Sequence, residues 1–253
     1  MLKFPTQYHE EVATSVAKYA DRLDGVDTVL VVNSCARGQA VPESDLDMAI
    51  LMIPPVDEKA LEAEWLVHKS SDVNLKKFCN RSPFSAIHLD FFDGSFTAAV
   101  WDDGGGPDDF EIEIGNRIAY ASPLVQSGHR LVELRERWLP YYETQLRDSR
   151  LQVARDACSY DLEFVPFYVD RGLYLQAFDR LYKAFREYLQ ALFIAHRTYP
   201  LAYNKWLEEQ LGWIGRPELL DPLLGTLSVP NLRSGDLNNN AAALRELVDD
   251  LID

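Results

Sequence analysis

The apolar run DLDMAILMI, from Asp45 to Ile53, constrains the fold more than any other stretch of this chain. From Met48 onward every residue is apolar, so a strand here has two apolar faces and lies against a core. The strand nevertheless begins with Asp45 and Asp47, whose side chains project to the same face with Cα atoms roughly 6 to 7 Å apart. Two carboxylates beside a core repel each other and lose hydration, and a divalent cation such as Mg²⁺ relieves both costs. The alternative is that the aspartates cap turns or pair with lysine at a strand end.

The residues just before this strand suit a phosphate group. Val31 lies in a buried β-branched run, and the segment that follows, Ser34–Gly38, consists of small or turn-compatible residues. Backbone of this kind can approach a ligand closely and offer N–H groups and a hydroxyl to phosphate oxygens. The sequence therefore predicts a phosphate-binding turn, followed closely by a metal-binding acid pair.

The segments NSCARG and SDLDMAIL together are similar to the strand, Gly-Ser turn and acid-x-acid signature of the nucleotidyltransferase superfamily. That superfamily includes the minimal nucleotidyltransferases and the aminoglycoside nucleotidyltransferases. The resemblance implies that a metal-bound nucleoside triphosphate is attacked in line at its α-phosphorus and that pyrophosphate leaves. It covers the N-terminal half by motif, and the helical region that follows resembles the second domain of antibiotic-modifying members by architecture.

The resemblance also implies a role for each matching residue. Ser34 would hold the β- or γ-phosphate, Gly38 would let the turn close, and Ser44 is a further nucleotide-binding candidate. Asp45 and Asp47 would bind the metal, expected to be Mg²⁺, and would be catalytic.

One position departs from the family pattern, because Asn33 stands where the superfamily has glycine. Close approach of a triphosphate then requires Asn33 to adopt the left-handed backbone conformation. Asparagine tolerates that conformation better than most non-glycine residues do.

The resemblance further implies a third carboxylate on a neighbouring strand. In SAIHLDFF the alternation places Asp90 on the polar side, so Asp90 is the predicted third metal ligand and catalytic carboxylate, with a strand-end salt bridge as the alternative. His88 is interpreted as a structural neighbour, because a single histidine beside an acid lacks metal-site spacing. Glu111 and Glu113 are expected on one face of a further strand, where they could bind metal, act as general base or lie at a solvated edge.

Strand and helix patterns alternate in the first half of the chain. The predicted elements are a helix in YHEEVATSVAKYADRL, a strand in GVDTVLVV, the strand DLDMAILMI, a helix in DEKALEAEWLVHK, a strand in SAIHLDFF, a further strand in FTAAVW, and an alternating strand in FEIEIGNRIAYASPLV. The last two are separated by the Gly-rich segment WDDGGGPDD, which is predicted to be a loop.

From about residue 127 the pattern becomes helical, and Pro140 is expected to end or kink the first helix. One later helix has an apolar seam at alternating spacings of four and three, formed by Tyr174, Phe178, Leu181, Phe185, Tyr188 and Leu192. Two further amphipathic helices are expected in 200–215 and 238–253. The prediction is an α+β fold, with a nucleotidyltransferase domain of a mixed sheet flanked by helices over 1–126 and an all-α helical bundle over 127–253. Lys205, beside two aromatic residues, is a predicted triphosphate contact.

Composition excludes some classes of partner. The net charge of −15 disfavours nucleic acid, because phosphate neutralisation supplies most of the affinity of nucleic-acid binders. No apolar run approaches the roughly 20 residues of a membrane span, and the N-terminus has no apolar signal core, so a cytoplasmic location is expected. Three isolated cysteines indicate reduced, structural thiols.

The leading prediction is an Mg²⁺-dependent nucleotidyltransferase that moves AMP from ATP, or a similar nucleoside monophosphate, to an acceptor hydroxyl. A small molecule such as an aminoglycoside-like antibiotic is favoured over a protein as acceptor, because an acidic chain suits a cationic acceptor. Two alternatives remain open: a non-catalytic nucleotide-binding or antitoxin-like module on the same fold, motivated by Asn33, and transfer of AMP to a protein side chain.

Overall fold

The computed structural model describes residues 2–233 and 235–251. The chain forms two compact units, one of Met1–Phe96 with Glu113–Leu139 and the other of Thr97–Ile112 with Pro140–Asp253. The first contains a four-stranded mixed sheet with helices, and the second is helical. The predicted α+β class is therefore confirmed. The change of sequence pattern near residue 127, from which a domain boundary is predicted, falls within the first unit.

The sheet of the first unit has the strand order β3-β2-β1-β4. Its strands are β1 (Val26–Val31), β2 (Leu46–Met52), β3 (Ile87–Phe92) and β4 (Ser122–Gln126). β1 is antiparallel to β2 and β4, whereas β2 and β3 are parallel. In the β2–β3 register Asp47 lies opposite His88 and Ala49 lies opposite Asp90. Because paired residues share a face, these side chains project from one face of the sheet.

The opposite face of the sheet packs against a hydrophobic core. Helices of this unit are α1 (Gln7–Ala20), α2 (Asn33–Ala36), α3 (Glu58–Ser71), α4 (Val73–Cys79) and α6 (Arg130–Trp138). Val12 and Val16 of α1 share a cluster with Met48 and Ile50 of β2 and with Leu89 of β3. The acidic residues occupy the alternate positions of β2 and β3, so their side chains point away from this cluster.

The strand predicted around Glu111 and Glu113 is wrong, because these residues lie in α5 (Phe110–Ile114), which a π-helical turn, Gly115–Ala119, follows directly. The helix is explained by apolar residues four apart: Phe110, Ile114 and Ile118 are all buried. Glu111 and Glu113 therefore do not share a strand face.

The fourth strand also differs from the prediction. FTAAVW, residues 96–101, forms no strand, and the strand beside β1 is Ser122–Gln126, at the end of the alternating run.

The second unit is built from helices, with a 3₁₀ turn at Pro217–Leu219 among its described residues. They are α7 (Thr144–Asp170), α8 (Tyr174–Ala195), α9 (Leu207–Trp213), α10 (Leu220–Gly225) and α11 (Asp236–Asp249). The break expected at Pro140 is confirmed, since α6 ends at Trp138 and α7 begins at Thr144. The last two residues of the helix predicted over 238–253 lie outside the described residues. No helix in the described parts of the chain has the length and apolar character to span a membrane.

The seam predicted on α8 forms part of the core of the helical unit. Leu181, Phe185, Tyr188 and Leu192 are buried in one cluster, against which Tyr174 and Phe178 pack from its margin. The helical spacing of these residues places them on one stripe, and this part of the sequence prediction is confirmed.

Candidate active site

A tight turn joins β1 to the helical turn α2. Asn33 has a backbone φ of 54°, so Asn33 adopts the left-handed conformation. The Arg37 N–H donates to the Asn33 carbonyl at 3.3 Å, and the Gly38 N–H donates to the Cys35 carbonyl at 3.3 Å. Gly38 has a φ of 71°, which a residue with a Cβ atom rarely adopts. The turn therefore ends at Gly38, and Ser34 lies within it, half-buried.

The turn is joined to β2 through both the backbone and the side chain of Asp47. The Val32 N–H donates to the Asp47 carbonyl at 3.0 Å. The side-chain amide of Asn33 donates from Nδ2 to Asp47 Oδ2, also at 3.0 Å. The acidic residue at the start of β2 is thus positioned by the turn that precedes it.

Three potential metal ligands meet where β2 and β3 begin. One side-chain ligand atom from each of Asp45, Asp47 and His88 lies within 4.8 Å of the other two. The His88 Nε2 atom is 3.7 Å from Asp45 Oδ2. The aspartates are half-buried and the histidine is exposed, so the cluster is open to solvent. Two carboxylates with an imidazole form a donor set that divalent cations bind, and the carboxylates are the hard ligands that Mg²⁺ prefers.

Cys35 lies beneath the acid pair and is chemically inert. Burial raises the pKa of the Cys35 thiol to about 12, and the carboxylates of Asp47 and Asp45 act in the same direction. Its Sγ atom lies 3.7 Å from the Asp45 carbonyl oxygen, to which it donates. Because only the thiolate is nucleophilic, Cys35 is a structural residue.

Ser44 fixes the turn that leads into β2. Its hydroxyl accepts a hydrogen bond from the Val41 N–H at 3.0 Å, and its carbonyl is 3.1 Å from Nε2 of the buried His9. Burial lowers the pKa of His9, which favours a neutral ring at this contact. These contacts hold the backbone immediately before Asp45.

Asp90 lies on the same sheet face as the cluster, one pair of residues further along β3. Its Oδ2 atom is 3.5 Å from Arg117 Nη2, and the guanidinium of Arg117 also lies over the ring of Phe92 at 5.3 Å. Arg117 belongs to the π-helical turn, a structure that often occurs at functional sites. Arg117 is not predicted from the sequence, because no local pattern links the segment after α5 to β3.

Glu111 has a structural role in the helical unit. Its fully buried carboxylate receives hydrogen bonds from Arg150 at 2.8 and 2.7 Å, from the Tyr142 hydroxyl at 2.8 Å and from Gln190 at 3.0 Å. Arg150 also donates to Asp108 at 2.9 Å. Burial alone would lower the pKa of Arg150, but the hydrogen bonds and charges of Glu111 and Asp108 outweigh it and raise that pKa. Burial alone would raise the pKa of Asp108, but the hydrogen bonds and charge of Arg150 outweigh it and lower that pKa. With its oxygens engaged in this way, Glu111 is not placed to serve as a general base.

The remaining predicted residues are placed as follows. Glu113 is half-buried in the first unit. Its charge contributes to the raised pKa of Glu58, for which burial is the largest cause and the charge of Asp93 the next. Lys205 belongs to the second unit, where it is exposed and its carbonyl accepts a hydrogen bond from Gln210 at 2.9 Å.

Comparison with known proteins finds similarity among solved structures only. No known protein family and no curated protein match the chain. Among solved structures, the chain is similar to a spectinomycin adenyltransferase from Enterococcus faecialis, whose crystal structure contains ATP and spectinomycin. The sequence identity is 13%, the match covers 94% of this chain and 99% of that one, and the TM-score is 0.37. The functional argument therefore depends on the geometry of the chain itself.

Proposed function

We propose that this protein is a nucleotidyltransferase, which moves a nucleoside monophosphate, AMP from ATP, to an acceptor hydroxyl and releases pyrophosphate. The observation that supports this is the junction of the turn 33–38 with the acidic cluster at the start of β2. A turn that contains Ser34 is bounded by two residues of positive φ, Asn33 and Gly38, and Asn33 contacts one of two aspartates whose carboxylates lie close together. A polyphosphate and a cation both find suitable partners in such a junction.

In the proposed reaction the acceptor oxygen bonds to the α-phosphorus, and the bond from that phosphorus to the bridging oxygen of pyrophosphate breaks. The proton of the acceptor hydroxyl passes to a base. Ser34 is proposed to donate its hydroxyl to a β- or γ-phosphate oxygen, and Gly38 to keep the turn closed. Ser44 is proposed to bind the nucleotide beside the backbone segment that it holds before Asp45.

Asp45 and Asp47 are proposed to hold Mg²⁺, with Asp90 as the third carboxylate. The chemistry that a bound Mg²⁺ supplies is charge neutralisation at phosphate oxygens. Asp90 lies on the same sheet face as the cluster but is not one of its three members, and its side chain is paired with Arg117. For Asp90 to bind the metal, its ion pair with Arg117 must break.

Lys205 is proposed as a triphosphate contact on the basis of its charge and exposure. Among the glutamates, Glu113 remains a candidate for the base, since Glu111 is engaged with Arg150. A small cationic acceptor is favoured over a protein, because the chain carries a net charge of −15.

The non-catalytic alternative depends on the idea that Asn33 keeps a triphosphate from the turn. Asn33 adopts the left-handed conformation that the turn requires, so its presence does not by itself prevent a triphosphate from approaching. Transfer to a protein side chain uses the same chemistry and differs only in its acceptor.

The proposal is tested by incubating the protein with α-labelled ATP and Mg²⁺ against a panel of hydroxyl-bearing small molecules and candidate proteins. Mass spectrometry should detect a nucleotide adduct on one small molecule, together with pyrophosphate. An adduct on protein alone would favour the protein AMP-transferase. Nucleotide binding without any adduct or pyrophosphate would favour the non-catalytic module.

The assignment of Asp90 has its own test in that assay. Asp90→Asn should abolish transfer to every acceptor, whereas Glu113→Gln should affect some acceptors more than others. Transfer that survives Asp90→Asn but is lost with His88→Ala would assign the third position to the histidine.

A further inference from the structure

Asn33 has an unusual backbone conformation beside the acidic cluster. In the described parts of the chain, three non-glycine residues have a positive φ, and the other two, Arg197 and Trp206, lie in the helical unit. Steric repulsion between Cβ and the backbone disfavours this conformation in residues other than glycine. Glycine would adopt this backbone conformation without strain. An asparagine at position 33 is therefore expected to contribute through its side chain.

The side chain makes a contact that glycine cannot make. Asn33 Nδ2 donates to Asp47 Oδ2 at 3.0 Å, within the normal range for a hydrogen bond. Both residues are half-buried, and the adjacent Val32 N–H already binds the Asp47 carbonyl. The turn therefore holds the backbone of Asp47 through one residue and its carboxylate through the next.

A neutral amide suits this position better than a cation would. It restricts rotation of the carboxylate, so less conformational entropy is lost when the carboxylate binds a ligand. It leaves the negative charge of Asp47 in place, which a lysine or arginine would cancel. Hydrogen bonds that orient metal ligands in this way commonly contribute a factor of about ten or more to metal affinity.

We propose that Asn33 is a positioning residue that orients the Asp47 carboxylate for a divalent cation. The inference rests on the proposed function, because it takes the cluster of Asp45, Asp47 and His88 to be the cation site. The left-handed backbone of Asn33 places the amide at the carboxylate, so the conformation and the side chain act together.

The test measures Mn²⁺ binding without nucleotide, by electron paramagnetic resonance, in the wild type and two variants. Asn33→Gly keeps the left-handed backbone and removes the amide, whereas Asn33→Ala removes the amide and also strains the backbone. Both should raise the Mn²⁺ dissociation constant about tenfold. Only the alanine variant should lower the melting temperature. Asn80→Gly, at an exposed asparagine of the same unit, should leave the Mn²⁺ dissociation constant unchanged.

Wild-type Mn²⁺ affinity in Asn33→Gly would overturn the proposal, because the amide would then contribute nothing. Loss of affinity in the alanine variant alone would also overturn it, since the backbone shape alone would matter. A wild-type protein that binds no Mn²⁺ would overturn both this role and the metal site. A wild type that binds Mn²⁺ in the predicted way but transfers no nucleotide would overturn the proposed function alone.

Discussion

Raising the pH should destabilise the helical unit through one buried carboxyl group, that of Glu187. The side chain is fully buried on α8, and among the described residues neither of its oxygens has a hydrogen-bond partner. Burial raises the pKa of Glu187 from 4.5 to about 8, and the nearby carboxylate of Asp161 raises it further. The charges of Lys183, Arg180 and Arg186 act in the opposite direction without cancelling this effect.

The direction of the effect follows from the two pKa values. The folded protein retains a proton on Glu187 that the unfolded chain releases above about pH 4.5, so the protonated carboxyl favours folding. This contribution is complete below pH 4.5 and is lost as the pH rises through about 8. Each pH unit within that window costs about 1.4 kcal/mol. Between pH 6 and pH 8 the loss amounts to about 2 kcal/mol, because the titration is already levelling off near pH 8.

The assay compares urea unfolding of the wild type and Glu187→Gln at pH 6 and pH 8, followed by circular dichroism. The free energy of unfolding should fall between the two pH values by about 2 kcal/mol more in the wild type than in the glutamine variant. Glu163→Gln, at an exposed glutamate of α7, should behave like the wild type. The same pH dependence in the wild type and Glu187→Gln would refute the reasoning.

Three further predictions concern the ion pair, a helix cap and the ligand. Arg150→Met should lower the free energy of unfolding by about 3 to 5 kcal/mol in urea titrations, because Glu111 would remain buried without its countercharge; a loss below 1 kcal/mol would contradict this. Asp27→Ala should lower the free energy of unfolding by about 1 to 2 kcal/mol in the same assay. The reason is that the buried Asp27 carboxylate accepts hydrogen bonds from the Arg130 and Leu131 N–H groups at the start of α6. Unchanged stability would argue against this cap. ATP with Mg²⁺ at a hundred times its dissociation constant should stabilise the fold by about 2.7 kcal/mol in thermal melts, and ATP alone by much less; equal shifts would count against a metal-linked site.

Local sequence patterns were sufficient for the elements with one strong periodicity. The apolar run after Asp47 fixed β2, and the seam from Tyr174 to Leu192 fixed α8, because burial on one or both faces leaves a long regular signal. The left-handed conformation of Asn33 follows from no local pattern, and the family resemblance named it only as a condition for close approach of a triphosphate.

The segment around Glu111 was misread because FEIEI is too short to separate two periodicities. Phe110 and Ile114 fit both a strand that alternates by two and a helix that repeats by four. The burial pattern decides for the helix: Ile112, which an alternating strand would bury with Phe110 and Ile114, is only half-buried, whereas Glu111 is fully buried. The role of Glu111 depends on Arg150, 39 residues later in the chain, and a contact of that range leaves no local pattern.

The candidate site shows the same division between local and long-range information. The acid pair was visible because both carboxylates lie in one strand. The approach of His88 and the ion pair of Asp90 with Arg117 depend on the β2–β3 register and on the path of the chain after α5. The hydrogen bond from Asn33 to Asp47 depends on the rotamers of two residues 14 positions apart, which sequence spacing does not specify.

The acidic residues at the start of β2 are proposed to support metal-dependent nucleotidyl transfer. Its most direct test is the rate of pyrophosphate release from ATP, with an acceptor found in the panel assay, in the wild type and in Asp47→Asn. We expect Mg²⁺-dependent release by the wild type and its loss in Asp47→Asn. The melting temperature of this variant without nucleotide should be unchanged or higher, because repulsion with Asp45 is relieved. Asp109→Asn, at an exposed aspartate of the helical unit, should release pyrophosphate at the wild-type rate. Release by a folded Asp47→Asn protein at the wild-type rate would contradict the account.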